Sequence, residues 1–207
     1  MIQLLLATRN QHKTREFAKL FGENFAVRDL TSESDVPAIV ESGATFEENA
    51  ALKAVTISRI FPHEIVVADD SGLEVEALGG APGIFSARYA GENASDRRNV
   101  EKLLRQLEHS RDRSARFKCV IALARNGQLM TTVAGEVVGA IAEAARGESG
   151  FGYDPIFVPT GFSETFAQLT SETKNKISHR AHAAAALVRH FNTATKSGEM
   201  RDPNSRW

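Results

Sequence analysis

The stretch Ile65-Val66-Val67-Ala68-Asp69-Asp70-Ser71-Gly72 decides the reading of this chain. An apolar run ends in two adjacent carboxylates, a hydroxyl and a glycine. Strands of this kind are built to be covered, so charges placed where one emerges need a purpose. Adjacent acids repel each other. A hard divalent cation such as Mg²⁺ would remove that cost, because it prefers carboxylate oxygens and keeps waters and substrate phosphates as its other ligands. The plainer alternative is a solvated Asp-Asp turn that stops a strand. The rest of the chain decides between the two.

Outward from this stretch, strand and helix signals alternate. Ile2–Ala7 reads as a buried strand, Thr8–Lys13 as a polar turn and Thr14–Phe21 as a short helix. Thr45–Ile60 reads as a longer helix, with Phe46, Ala50, Lys53, Ala54 and Ile57 at helical spacing. Ile65–Ala68 is the next strand, and Gly79-Gly80-Ala81-Pro82-Gly83 is a forced loop. Ser95–Leu107 is helical, with Val100, Leu103, Leu104 and Leu107 on its apolar face. Arg116–Ala124 and Met130–Ile141 are strand-like and join around Asn126-Gly127, a strong hairpin signal. Ser178–Phe191 is a final helix. Lys196–Trp207 carries Gly, Pro and charge without a period, which predicts a mobile tail after a single domain over 1–195. The pattern implies an α/β protein with a mixed sheet, and it leaves strand order open.

The chain has 207 residues, of which 42% are hydrophobic and 25% charged, and its formal net charge is −1. Such a composition suits an ordinary soluble globular protein and gives no global drive towards nucleic acid or anionic membrane. Any anionic ligand must be held by local positive charge. No segment has the apolar length of a membrane span, and Ile2–Ala7 is too short for a signal core. Cys119 is the only cysteine, so an internal disulfide is impossible and a reducing cytoplasm is the expected home. It lies in a strand-like run and reads as a small core residue.

Four polar clusters can carry chemistry. Thr8-Arg9-Asn10-Gln11-His12-Lys13 lies where a helix begins, and helix N-termini attract phosphates. The Gly-rich spacing of a Walker A loop is missing. An ordinary polar loop capped by Asn10 explains the segment equally well. In Glu41-Ser42-Gly43-Ala44-Thr45-Phe46-Glu47-Glu48, Thr45 and Glu48 make a capping box. Glu41 has no such structural account and is a candidate second metal carboxylate. In Gly150-Phe151-Gly152-Tyr153-Asp154-Pro155, glycines flank an aromatic. Phe151 can stack on a base whose edge backbone amides read, or it can be a core residue beside a tight turn. Lys174-Asn175-Lys176-Ile177-Ser178-His179-Arg180 gathers donors before a helix, with Ser178 as its expected cap. Together, two donor-rich helix starts, an acidic strand end and an aromatic glycine loop suggest a nucleoside polyphosphate with a metal.

These segments, in order from residue 7 to 181, resemble the house-cleaning inosine/xanthosine triphosphate pyrophosphatases, the XTP/dITP diphosphatase family. The matching stretches are Ala7-Thr8-Arg9-Asn10 with Lys13, Glu41–Phe46 with Glu48-Asn49-Ala50, and Ala68–Leu73. Leu78–Gly91, Gly150–Pro155 and Ile177–Ala181 complete the set. Each stretch is weak alone, and the ordered set is highly specific. The resemblance implies an elongated two-lobed α/β fold around a long mixed β-sheet, and a homodimer. It implies Mg²⁺-dependent hydrolysis of ITP, dITP and XTP to the monophosphate and pyrophosphate, with no nucleic-acid or membrane partner. Position by position, Asp70 matches the general base and metal ligand, and Glu41 the other metal carboxylate. Thr8, Arg9, Asn10, Gln11, His12 and Lys13 match the phosphate loop, with Lys13 also counted as catalytic. Ser71, Phe151, Gly152, Tyr153, Asp154, Lys174, His179 and Arg180 match substrate and base contacts.

The implied chemistry agrees with the residue types. A carboxylate can orient and deprotonate water, while Lys13 and Lys174 hold developing negative charge. Donors such as Arg180 favour a C6 keto oxygen over adenine's amino group. Guanine shares that keto group, so its rejection must arise around C2. Two positions depart from the family pattern: Gln168 stands where Glu is usual, and Ser171-Glu172-Thr173 precedes Lys174 where an acid commonly adjoins it. Two other classes remain open at this level, a nucleotide-binding regulator without turnover and a metal-dependent sugar-nucleotide transferase.

Overall fold

A computed structural model describes residues 1–37 and 39–197. A six-stranded sheet has the order β2-β1-β3-β4-β5-β6. Its strands are β1 (Ile2–Leu6), β2 (Phe25–Asp29), β3 (Val66–Val75), β4 (Ser114–Arg125), β5 (Gln128–Ile141) and β6 (Phe157–Pro159). β1 pairs in parallel with both β2 and β3, whereas β5 and β6 are antiparallel, so the sheet is mixed as expected. The helices are α1 (Gln11–Phe21), α2 (Phe46–Ile60), α3 (Asp96–Gln106), α4 (Ser171–Ile177) and α5 (His179–Ser197). The chain divides into two compact units, and β3, β4 and β5 each contribute residues to both.

The first unit comprises residues 1–70, 120–135 and those from 180 onward. Its leading part runs β1–α1–β2–α2–β3, with β2 and β3 on opposite sides of β1. The connection therefore reverses direction at β1. At such a switch point the loops leaving the carboxyl ends of adjacent parallel strands diverge and leave a crevice where ligands bind. Leu6 pairs with Val67, so Asp69 and Asp70 lie beyond the end of β1, level with the loop that opens α1. Stacked or tilted ring pairs link Phe17, Phe21, Phe25 and Phe191 in the core, with successive centroids 5.3 to 5.8 Å apart.

The second unit comprises residues 71–119 and 136–179. Its core gathers Leu73, Val75, Val100, Leu103, Leu107, Phe117, Tyr153, Phe157 and Phe166, all buried. Val100 and Leu103 come from the expected apolar face of α3, and Leu107 from its C-cap. Asn126 and Gly127 both take positive φ, 50° and 75°, as the predicted hairpin turn between β4 and β5 requires.

Four expectations need correction. β3 does not stop at Ala68: it continues through Asp69-Asp70-Ser71-Gly72 to Val75, so the two acids sit inside a strand. α1 begins at Gln11, since Asn10 accepts from the His12 and Lys13 N–H groups and starts the helix a turn early. The segment before His179 is itself the helix α4, and Ser178 breaks it from α5 with extended backbone. Lys196 and Ser197 close α5; the rest of the expected tail lies outside the described residues. β2, β6 and α4 carried too few periodic residues to be read.

Candidate active site

In the first unit, burial of paired acids is made tolerable by converging cations. Asp69 and Asp70 are 4% and 7% exposed, far too buried for a solvated turn. Neighbouring strand residues point to opposite faces, and the two carboxylates accordingly meet different partners. Asp69 accepts two hydrogen bonds from the Lys13 ammonium, at 2.9 and 3.1 Å. The Arg180 guanidinium lies 3.9 Å from it and is itself paired with Glu16 at 3.2 Å. Burial pushes the Asp69 carboxyl up, but Lys13, Arg180 and Lys53 outweigh it and hold it at about 2.

Asp70 faces α2. The buried Asn49 amide donates to one of its oxygens at 3.1 Å and accepts from the Gly43 N–H at 2.8 Å. The Lys53 ammonium lies 3.6 Å from the other oxygen and 2.5 Å from Glu41. Two carboxylates from separate elements thus converge on one positive charge. Burial pushes the Asp70 carboxyl above its ordinary value; Lys53 opposes this and Glu41 reinforces it. The Lys53 ammonium is held above its ordinary value, because Asp69, Asp70 and Glu41 together outweigh its burial.

The capping box of α2 is present with one change. Thr45 Oγ1 accepts from the Glu48 N–H, while Glu48 reaches past Thr45 to the Ala44 N–H at 2.7 Å. This holds the turn that follows Glu41. At α1, the Thr8 hydroxyl accepts from the Asn10 N–H, and Arg9 donates to the Glu33 and Val36 carbonyls. Arg9 therefore braces a loop; Gln11 and His12 lie exposed on the first turn.

In the second unit, charge is used to shape a loop. Asp154, 3% exposed, accepts from the Phe151 N–H at 2.9 Å and from the Lys174 ammonium at 2.7 Å. That ammonium lies 5.1 Å from the Phe151 ring centroid and 5.8 Å from that of Phe166. A Cβ on Gly150 would collide with the Asp154 carboxylate, which explains the glycine there. The Tyr153 hydroxyl donates to the Ser86 carbonyl at 2.9 Å, and the Gly152 N–H to Asp96 at 2.6 Å. The Phe151 and Gly152 amides, expected to read a base edge, are thus both engaged by carboxylates. The buried His179 ring stacks on Phe117 at 4.7 Å. Ser71 stands half-buried in β3, directly after Asp70.

The structure therefore brings Lys13, Asp69, Asp70, Glu41 and Arg180 together in the first unit. Phe151, Gly152, Tyr153, Asp154 and Lys174 come together in the second. Lys53, Asn49 and Glu16 were missed from sequence. The signal for Lys53 was present: a lysine on the otherwise apolar face of α2 needs a buried anion. Gln168 has a local role, its amide oxygen accepting from the Thr165 N–H at 3.0 Å. Lys174 pairs with Asp154 at 2.7 Å, and Glu172 of the segment before it pairs with Lys176 at 2.7 Å.

A hard divalent cation fits this donor set. Glu41 and Asp70 are anionic oxygen donors that already converge on a cation, and Mg²⁺ takes one or two carboxylates with substrate phosphates. Among the described residues no group of three or more His, Cys, Asp or Glu side chains is placed to hold a metal ion.

Comparison with known proteins places the chain in a family. The family model of the Ham1 family matches residues 4–190. A Bacillus licheniformis protein named dITP/XTP pyrophosphatase is 50% identical over 90% of this chain and 96% of its own length. A Bacillus subtilis protein of the same name is 45% identical over 90% and 96%. The solved Ham1 protein of Staphylococcus aureus superposes with a TM-score of 0.83 at 43% identity, covering 92% of this chain and 98% of its own. That of Coxiella burnetii gives 0.84 at 41% identity, covering 94% and 100%. The chain belongs to the Ham1 family.

Proposed function

We propose that this protein hydrolyses the triphosphates of deaminated purines, ITP, dITP and XTP, to the nucleoside monophosphate and pyrophosphate. One observation carries the chemistry: Glu41 and Asp70 converge on Lys53 at the parallel-strand switch point. Relatives about half identical over nearly their whole length carry the substrate class in their name, dITP/XTP pyrophosphatase.

Glu41 and Asp70 would hold Mg²⁺, which when bound neutralises phosphate oxygens. Asp70 accepts the proton of the attacking water. Asn49 fixes the orientation of that carboxylate. Lys13 stands at the start of α1, where its charge and the helix N–H groups favour phosphate oxygens. Asp69 keeps the Lys13 ammonium placed. Phe151 would stack on the base, and Lys174, Asp154 and Tyr153 hold its loop. His179 and Arg180 complete the proposed substrate contacts. The reading includes a homodimer in the cytoplasm, with the single cysteine buried. No helix among the described residues is long and apolar enough to cross a membrane.

A steady-state assay with ITP, dGTP and a sugar nucleotide, read as pyrophosphate release, tests the proposal. ITP turnover that stops in excess EDTA and returns with Mg²⁺ is the expected result. Binding without turnover would mean a regulator, and a nucleoside diphosphate released from the sugar nucleotide only with an acceptor, followed in parallel, a transferase. Full activity in chelator would remove the metal assignment.

A further inference from the structure

We propose that Asp96 is a positioning residue for nucleobase recognition: from the first turn of α3 its carboxylate grips the Gly152 N–H and sets the loop that carries Phe151. The proposal rests on the nucleotide reading above. The bond is 2.6 Å long and joins residues 56 apart in sequence.

The grip is not needed by the helix. Ser95 already caps α3, its side chain accepting from the Arg98 N–H. Asp96 itself is exposed. A hydrogen bond on an exposed side chain contributes little to global stability, because water competes for both partners. Its leverage is local. Gly152 has φ of 62° and open space where a Cβ would stand, so no side chain of its own anchors it. Packing fixes the neighbours instead. Tyr153 is buried and bonded to Ser86, and the Phe151 amide is bonded to Asp154. Without Asp96, the Phe151-Gly152 peptide loses its hold on α3 and keeps the Asp154 N–H bond to the Phe151 carbonyl, at 3.3 Å. The stacking ring would then sample several orientations, and base binding would bear the cost of ordering it.

The test uses the full chain with Asp96→Ala and Asp96→Asn. In wild type the Gly152 amide should be protected from hydrogen exchange by NMR. Asp96→Ala should lose that protection and raise KM for ITP roughly five- to tenfold, as expected for one hydrogen bond, with kcat within about twofold. Asp96→Asn keeps an acceptor oxygen and should restore most of both. Inhibition by inorganic tripolyphosphate, which has no base, should be the same in all three proteins. An unchanged KM in Asp96→Ala, or a weakening towards tripolyphosphate that matches the KM change, would overturn the assignment while leaving the nucleotide reading intact. A wild-type protein that turns over no ITP would overturn the nucleotide reading, and this inference with it.

Discussion

The two units bury charge for different ends. In the first, Lys13, Lys53 and Arg180 surround Asp69 and Asp70, and Glu41 adds a third acid. The groups are paired but in near balance, so an arriving anion or cation changes the field strongly. In the second, the buried pair Lys174–Asp154 is spent on geometry: the carboxylate pins a backbone amide and the ammonium lies against two aromatic rings. The contrast teaches that a buried ion pair is not by itself a mark of catalysis. What distinguishes a reactive cluster is convergence of like charges that need a ligand to relax.

If this division of labour holds, changes at the Glu41–Lys53–Asp70 cluster lower turnover of every nucleotide, and changes at the Phe151 loop act on base affinity. The largest effect should come from Asp70→Asn, which cannot accept a proton from water. Its turnover should fall roughly 10²–10⁴-fold at saturating Mg²⁺, with folding unchanged by circular dichroism. Asp69→Asn should lose less activity; the reverse order would exchange the roles of the two acids. Lys53→Met comes next. Removing the ammonium that holds Glu41 and Asp70 in place should cost roughly 10- to 100-fold in turnover, equally for ITP and ATP. A change in the ITP-to-ATP ratio would instead bring Lys53 into base recognition and break the comparison.

Phe151→Ala should raise KM for ITP roughly tenfold, the order of one lost base stack, with kcat nearly kept. A fall in kcat alone would tie the loop to the chemical step. The smallest effect is on stability. Asp69 is held at about 2, below its ordinary 3.8, so its ionised form favours the folded state. That contribution, on the order of 2 kcal/mol, is present above pH 3.8 and lost as pH falls towards 2. Urea unfolding should therefore separate wild type from Asp69→Asn clearly at pH 7 and little at pH 2. An equal gap at both would deny the depressed carboxyl.

How much of this was legible in the sequence follows from the range of the interactions. Short-range devices were readable: the Asn10 cap, the Thr45–Glu48 box and the Asn126-Gly127 turn each act within a few residues. The end of β3 was misread for the same reason. Locally, Asp-Asp-Ser-Gly is turn chemistry, and only Lys13, Arg180 and Lys53, brought from three helices, let the strand continue through it. Lys53 was placed on the right face of α2 without its purpose, because its partners Glu41 and Asp70 lie on other elements. Asp96 gave no signal, since its bond to Gly152 exists only once α3 is docked.

The central claim is most directly tested by product analysis of ITP, dITP and XTP against ATP and GTP with Mg²⁺, with pyrophosphate and orthophosphate measured separately. The account predicts one pyrophosphate per monophosphate formed, no orthophosphate, and at least about tenfold higher kcat/KM for the deaminated purines, as mismatched hydrogen bonding at a base edge would give. Orthophosphate with a nucleoside diphosphate, or equal kcat/KM for ITP and ATP, would contradict it.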